Sequence, residues 1–420
     1  MATRSTTARV ALIAFLVAAV PIVARQAPGG ASALKLSAPI HHLFDDRLAR
    51  EPMIVEHPTG TLFVAGYGML NRPTNVETPN LWKSTDGGKT FIRVSVGTTE
   101  QGALGNSDVD LAVAADGTLY FVSMTFDNRV NEGVNINIGV SHDVGATWTW
   151  TQLSNTRWDD RPWVDVAPDG TVHVIWNDGE GVSYAVSTDQ GKTWTERPKI
   201  HPQGGSSHLA IGPNGKVAVR ITPVSASGFK HHPDADFIAV STDGGRTWTK
   251  QRPPGDRTWM FPISLVKDPL PRWVEPVAWD TNGALYSLWT EPSGVRLARS
   301  GDLGKSWQQW VIAETKGTTA FFPYVIARGK GALAATWFTA TMPGYGALRG
   351  HIATLDAGDG SAAPNVRTAS FDIDAIAGNA PTTAGEYVPT IFLQNGRLAV
   401  VTPIQNRPAG RLGFSYLSVE

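Results

Sequence analysis

Short runs in which apolar and polar residues alternate, separated by turn residues, recur along almost the whole chain. The run from Thr171 to Trp176 (TVHVIW) alternates with a period of two, which is typical of a strand with one buried face. Such runs flank glycine-containing turns, so the pattern predicts modules that each begin with a β-hairpin. The turn glycines are Gly60, Gly117, Gly170, Gly215, Gly283, Gly331 and Gly396.

A second motif, Ser-x-Asp-x-Gly-x-Thr/Ser-aromatic, follows the hairpin in the first five modules, and a weaker copy runs from Thr354 to Gly358. An aspartate in such a turn accepts hydrogen bonds from nearby backbone N–H groups, while glycine adopts backbone angles that other residues avoid. We therefore expect these aspartates to be structural turn residues and not metal ligands. They are Asp86, Asp143, Asp189, Asp243 and Asp302.

Repeated four-stranded modules predict an all-β fold, a β-propeller of seven blades, with six blades as the alternative. The last module has residues for only three strands, one before Gly396 and two after it, over 397–404 and 412–420. We expect residues 36–43 to supply the missing outer strand. The ring would then be closed by an N-terminal strand, which covers two open sheet edges.

We call the second motif the Asp box. The interval between the turn glycine and the Asp box is longer in modules one, two and four than in modules three and five. The two short turns of each module share one face, so the extra residues are expected in loops on the opposite face, over 68–80, 125–137 and 225–236. The innermost strands start on that same face. Variable loops on a rigid scaffold are typical of binding or catalysis.

Residues 1–33 are predicted to be a signal peptide, with Arg4 and Arg9 before an apolar run and a small-residue site at Ala31–Ala33. The propeller would occupy residues 34–420 in a secreted or periplasmic protein, with no stable membrane span after cleavage.

The composition narrows the chemistry. The chain has no cysteine, which excludes disulfides and thiolate metal sites. The 36 basic and 37 acidic residues give no charge excess that would favour nucleic acid. No cofactor or metal motif is present, and the oligomeric state stays open.

The boxes and modules resemble the sialidase superfamily of Asp-box propellers. Arg50-Glu51-Pro52 is similar to the arginine motif of the first inner strand in that family, and Glu275 and Tyr387 precede later inner strands as its glutamate and tyrosine do. The resemblance implies a glycan substrate with an anionic sugar, held by the Arg50 guanidinium. It further implies a Tyr387 nucleophile activated by Glu275, and a general acid in the first long loop, where Glu77 lies. Sialidases use three such arginines, and only Arg50 has a match.

The densest polar motif is Asp159-Asp160-Arg161-Pro162-Trp163. Asp160 either acts in acid–base chemistry or pairs with its neighbours to cap the channel. The remaining candidates for substrate binding are Arg161, Arg72, Arg272, His208 and Trp163.

Two kinds of function stay open. One is a glycoside hydrolase or related glycan-active enzyme. The other is a non-catalytic propeller that binds a glycan or protein or serves as an extracytoplasmic scaffold.

Overall fold

The structure is a computed structural model. It describes residues 25–26, 33–44, 50–67, 77–202, 204–225, 230–231, 236–255, 275–291, 293–341, 346–372, 388–406 and 411–419.

These residues form seven sheets, each with a core of four antiparallel strands. Blades 1 to 3 consist of β3 (Arg50–Glu56), β4 (Leu62–Tyr67), β5 (Asn80–Ser84) and β6 (Ile92–Arg93); β7 (Val109–Val113), β8 (Leu119–Asp127), β9 (Glu132–Ser141) and β10 (Thr149–Ser154); β11 (Asp160–Val166), β12 (Val172–Asp178), β13 (Gly181–Ser187) and β14 (Thr195–His201). Blades 4 and 5 consist of β15 (Gly204–Ile211), β16 (Val217–Ser225), β18 (Phe237–Ser241) and β19 (Thr249–Gln251); β20 (Val277–Trp279), β21 (Leu285–Glu291), β22 (Gly294–Ser300) and β23 (Gln308–Glu314).

Blades 6 and 7 consist of β24 (Thr319–Ala327), β25 (Ala332–Thr341), β26 (Gly346–Asp356) and β27 (Asn365–Asp372); β28 (Thr390–Phe392), β29 (Leu398–Asn406), β30 (Arg411–Val419) and β2 (Ile40–Phe44). Two short additions complete the sheets: β1 (Arg25–Gln26) pairs in parallel with β23, and β17 (Lys230–His231) pairs with β16. The described residues outside the strands include two 3₁₀ turns, Thr99–Gln101 and Pro213–Gly215.

The innermost strand of each blade contacts that of the next, and the last returns to the first, so the blades form a ring. The predicted seven-bladed propeller is confirmed. Within the described ranges, no helix has the length and apolar character needed to cross a membrane.

The apolar core lies between neighbouring blades. One buried cluster joins Val64 of blade 1 to Val401 of blade 7, and another joins Val122 of blade 2 to Val174 of blade 3. Each blade therefore buries its faces against its two neighbours, as alternation of side chains across a strand requires. Removing one blade would expose apolar surface on both sides of the gap.

The predicted closing strand is confirmed. β2 pairs antiparallel with β30 over the full length of β2, and an isolated bridge links Leu36 to Val419. His42 packs on Phe91 with ring centroids 4.8 Å apart, and Phe44 stacks on Trp82 at 4.8 Å. The N-terminal strand therefore completes blade 7 and also covers blade 1.

The Asp boxes are the turns between third and fourth strands, as predicted. In the first box, Asp86 accepts hydrogen bonds from the Thr90 backbone N–H (2.9 Å) and hydroxyl (2.6 Å) and from the Ser84 hydroxyl (2.7 Å). Equivalent bonds recur at Asp143, Asp189, Asp243 and Asp302. These bonds lower the pKa of Asp143 to about 2. The hydrogen bonds that these carboxylates accept come from residues of the same turn, which agrees with a structural role.

Candidate active site on the mouth face

The second-to-third strand connections and the connections between successive blades lie on one face of the ring, which we call the mouth face. The insertion predicted for blade 2 lies on the mouth face but is not a loop. Instead of a loop over 125–137, β8 and β9 continue to pair, with a register shift between Thr125 and Phe126, until Asp127 pairs with Glu132, and only four residues turn the chain. The extra residues therefore make a projecting hairpin.

Three inner strands begin on the mouth face with the same irregularity. The register shifts between Arg50 and Met53, between Asp160 and Trp163, and between Phe321 and Tyr324. In each bulge the second residue has positive φ and precedes proline: Glu51 (46°), Arg161 (48°) and Phe322 (48°). Non-glycine residues avoid this region, so such strain marks sites where the surrounding fold dictates the backbone.

Residues from three blades meet where these strands begin. The ring of His208 in β15 lies 3.7 Å from that of Trp163 in β11, and 5.1 Å edge-on from that of Tyr324 in β24. Burial and the nearby positive charge of Arg161 lower the pKa of His208 to about 3. The imidazole is therefore neutral at physiological pH. We call Arg161, Trp163, His208 and Tyr324 the axial cluster.

Two carboxylates, the buried Asp110 and the partly buried Asp165, lie close enough to the axial cluster to act on it. Burial first, and then the negative charges of Asp110 and Asp165, raises the pKa of the Tyr324 hydroxyl. None of these three residues was predicted, because each stands in an apolar run that predicts only a core strand.

Asp160 and Arg161, predicted together, sit side by side but differ in exposure. The Arg161 Nε lies 3.9 Å from Asp160 Oδ2, and the side chain of Asp160 is 25% exposed whereas that of Arg161 is 8% exposed. Asp159 is fully buried and accepts hydrogen bonds from the hydroxyls of Ser154 (2.8 Å) and Thr156 (2.9 Å). Asp160 is thus the carboxylate of this motif that reaches solvent, while Asp159 holds its own turn.

Glu275 lies in a different group, between blades 4 and 5. Its Oε2 is 3.4 Å from Nη2 of Arg220, and the same nitrogen donates to Asp236. Its Oε1 accepts the Thr290 backbone N–H at 3.4 Å. We call Glu275, Arg220 and Asp236 the interblade triad. Arg220 was missed because it occupies a strand, yet a charged residue amid Val217-Ala-Val and Ile221 was a usable signal.

The other predicted residues are placed as follows. Arg50 starts β3, with its guanidinium carbon 5.7 Å from the centre of the Tyr67 ring. Glu77 is half-buried before β5, where its carbonyl accepts the Gly105 N–H at 3.0 Å. Tyr387, Arg72 and Arg272 lie outside the described residues. The roles proposed for all of them remain predictions.

Comparison with known proteins agrees with the repeats and the ring. The BNR/Asp-box repeat family matches residues 185–196 and 239–250, which contain the boxes of blades 3 and 4. The chain is a seven-bladed β-propeller that carries BNR/Asp-box repeats. The Asp-box repeats that its sequence motifs predicted are therefore confirmed.

Among curated proteins, a xyloglucanase from Hypocrea jecorina (strain QM6a) is 27% identical to this propeller over 177 residues. The match covers 40% of the propeller chain and 18% of that enzyme's length. The chain thus spans less than a fifth of its curated relative.

Two solved structures share the fold. A protein of unknown function from Dyadobacter fermentans has a TM-score of 0.51 at 12% identity, with 92% of this chain and 99% of that chain covered. The GH74 xyloglucanase from Xanthomonas campestris has a TM-score of 0.50 at 14% identity, with 91% and 55% covered. At these identities the likeness establishes the propeller architecture.

Proposed function

We propose that this propeller is a glycan-active enzyme, a glycoside hydrolase whose substrate binds on the mouth face. The observation that carries the proposal is the axial cluster beside Asp160, because it joins a solvent-reaching carboxylate to a guanidinium and to aromatic groups from blades 3, 4 and 6. Glycan sites combine aromatic surfaces with a few placed polar groups, as ligand pockets generally do. The sequence match to a xyloglucanase supports the same reaction class.

Hydrolysis of a glycosidic bond needs one group to protonate the leaving oxygen and another to attack the anomeric carbon, directly or through water. We assign the acid–base roles to Asp160 and Glu275. Tyr387 is the nucleophile that the family resemblance implies, and Glu77 is the alternative acid. Anionic sugars are the proposed substrate class, since Arg50 and Arg161 both stand at the starts of inner strands.

The test is a turnover screen of the purified propeller on sialosides, polygalacturonate, arabinan and xyloglucan, with released sugar as the readout. We expect release from an anionic member, reduced by at least ~10²-fold in Asp160→Asn and in Glu275→Gln. Release of sugar from xyloglucan or arabinan alone would support the hydrolase function and contradict the proposal of an anionic substrate. No release from any member would reject the hydrolase.

A second function, glycan binding without turnover, is favoured by one specific observation. Glu275 is 1% exposed and already ion-paired with Arg220, so its carboxylate is engaged in the structure as it stands. The same panel distinguishes the two functions when binding is measured by calorimetry. Binding that survives in Glu275→Gln without any release of sugar indicates a binding module.

We also propose that the chain is exported and cleaved near Ala33. Cleavage would remove Arg25 and Gln26 and with them the strand added to the edge of blade 5. Intact mass of the protein recovered from an expressing bacterium tests this, and a chain that keeps residues 1–33 would reject it.

A further inference from the structure

The interblade triad places one guanidinium between two carboxylates inside the protein. The side chain of Arg220 is 0% exposed, and those of Asp236 and Glu275 are 9% and 1% exposed. Nη2 of Arg220 contacts both acids, and it lies 3.4 Å from Oε2 of Glu275. Nε and Nη1 have no hydrogen-bond partner within the part of the chain that the structure describes.

The position of Arg220 follows from strand alternation. Ala218, two residues earlier on β16, packs in the buried cluster that joins blades 4 and 5 through Val277 and Leu285. Side chains two apart share a face of the sheet, so Arg220 lies on the face of blade 4 that meets blade 5. Its guanidinium there reaches Glu275, just before the innermost strand of blade 5.

The backbone of Glu275 is held from the same side. The Ser207 hydroxyl in β15 lies 3.3 Å from the carbonyl oxygens of both Glu275 and Arg220, so its single proton is shared between them. With the Thr290 N–H on Oε1, the carboxylate is contacted from blade 4 on one side and from its own blade on the other. This pattern fixes both where Glu275 enters the ring and where its carboxylate points.

Stability alone does not account for the arrangement. A buried ion cluster is commonly no more stabilising than apolar side chains of similar volume, because desolvation offsets the attraction between the charges. Two buried nitrogen atoms, Nε and Nη1, whose N–H groups have no partner among the described residues add a further cost. An arginine that uses one nitrogen out of three is therefore a poor stabiliser but an adequate clamp for a carboxylate.

We propose that Arg220 is a positioning residue, which holds the Glu275 carboxylate in its working orientation at the mouth face. The inference rests on the proposed hydrolase function for the role of Glu275. Arg220 itself contacts Glu275 and not the substrate, so its loss should slow the chemical step and leave substrate binding largely intact.

The experiment compares Arg220→Met, which removes the charge, with Arg220→Lys, which keeps it. The control is Arg296→Met, since Arg296 pairs with Glu291 (3.0 Å) in blade 5 but is partly exposed. Turnover is measured on the best substrate of the screen. The assay temperature is kept well below the lowest unfolding temperature among the variants. We expect kcat to fall ~10²-fold in Arg220→Met with KM little changed, as for a misplaced catalytic group. Arg220→Lys should recover part of the loss, and Arg296→Met should match the wild type.

A wild-type kcat in folded Arg220→Met would overturn the proposal, as would an equal loss in Arg296→Met. If the wild-type protein turns over no substrate, the proposed hydrolase function is rejected. The positioning role of Arg220 is then tested by a crystal structure of Arg220→Met. A Glu275 carboxylate displaced from its wild-type position supports the clamp, whereas an unmoved carboxylate rejects it.

Discussion

Carboxylates on the inner strands accept hydrogen bonds from the backbone of the next blade. Asp110 of blade 2 accepts the N–H of Val164 in blade 3 at 3.0 Å, as well as that of Leu111 at 2.8 Å. Asp165 of blade 3 accepts from Val166 at 2.8 Å and from the backbone of Ile211 in blade 4. Burial raises the pKa of Asp110 to about 8 and that of Asp165 to about 6. The backbone hydrogen bonds act in the opposite direction and lower both pKa values, so they offset part of the effect of burial.

The raised pKa of Asp110 makes stability depend on pH. The unfolded chain loses this proton near pH 4, while the folded protein keeps it until about pH 8, so stability declines as pH rises across that window. We expect the free energy of unfolding of Asp110→Asn to decline less than that of the wild type between pH 5 and 9. The difference should be on the order of 3 kcal/mol, since each pKa unit is worth about 1.4 kcal/mol and a buried charge is partly relaxed by water.

Denaturant unfolding at several pH values measures this difference. Glu314→Gln is the matched control, because Glu314 is half exposed beside Lys316 and should follow the wild-type slope. Parallel pH profiles for Asp110→Asn and the wild type would contradict the prediction. Asparagine retains only one acceptor oxygen, so the variant can be less stable at every pH without affecting the comparison of slopes.

The residue scale also shows which parts of the site a sequence can reveal. Asp86 and its four equivalents were predictable because their bonds join residues four apart, within one short motif. Arg220 and Glu275 are joined across blades, and Asp110 reaches a residue 54 positions away. Such pairs depend on how blades pack, and no local pattern encodes it.

At the scale of the element, the last glycine of each Asp box is where the box meets the preceding blade. A Cβ on Gly88 would lie 2.4 Å from the Tyr416 ring of blade 7, and one on Gly245 would lie 2.2 Å from the Tyr184 ring of blade 3. Gly145 and Gly191 make corresponding contacts with Phe63 and Tyr120 of the blades before them. The box is thus a packing element between blades as well as a turn.

Neighbouring glycines in the first box separate these two roles. Gly87 (φ 71°) and Gly88 (φ 87°) both have left-handed backbones, but a Cβ on Gly87 meets nothing within 4 Å. We expect Gly87→Ala to cost about 1 kcal/mol for the backbone alone. Gly88→Ala should cost a further ~1–3 kcal/mol from the clash with Tyr416. Chemical denaturation of the two variants measures the difference.

The fourth box supplies an independent repeat of this comparison. Gly244→Ala faces only the end of the Arg246 side chain at 3.8 Å, whereas Gly245→Ala would meet the Tyr184 ring. Equal losses within both pairs would show that the boxes act only as turns.

Strand elements were predictable to different degrees. Alternation and turn glycines were enough to locate the hairpins of all seven blades. The projecting hairpin of β8 and β9 was missed, because the length of the interval between turn glycine and Asp box shows that residues are added but not whether they extend the strands or form a loop. The left-handed residues before Pro52, Pro162 and Pro323 were also beyond prediction, since a residue before proline normally adopts an extended backbone.

At the scale of the whole molecule, a single strand closes the ring. β2 makes the outer edge of blade 7, and the His42 side chain lies 3.2 Å from the Gly88 carbonyl oxygen in the Asp box of blade 1. Without β2, blade 7 would end in the unpaired edge of β30, which favours association with other chains.

A variant that lacks residues 1–44 tests the importance of closure. We expect it to unfold at a lower temperature than the wild type and to associate in a concentration-dependent way, because both β30 and the aromatic surface around Trp82 are uncovered. A synthetic peptide of residues 34–44 added in trans should raise the unfolding temperature by restoring the strand. A peptide with His42 and Phe44 replaced by serine is the control. A monomeric truncated protein with wild-type stability would contradict the prediction.

The placement of β2 also has a consequence for biosynthesis. Among the strands of the ring, β2 is synthesised before any strand of blades 1 to 6, and its partner β30 is synthesised after all of them. Blade 7 cannot form until β30 has left the ribosome, so the apolar flank of blade 1 stays exposed while the other blades are made. Nascent chains of this protein should therefore engage chaperones until β30 emerges, and a message truncated anywhere upstream of β30 should yield only degraded polypeptide.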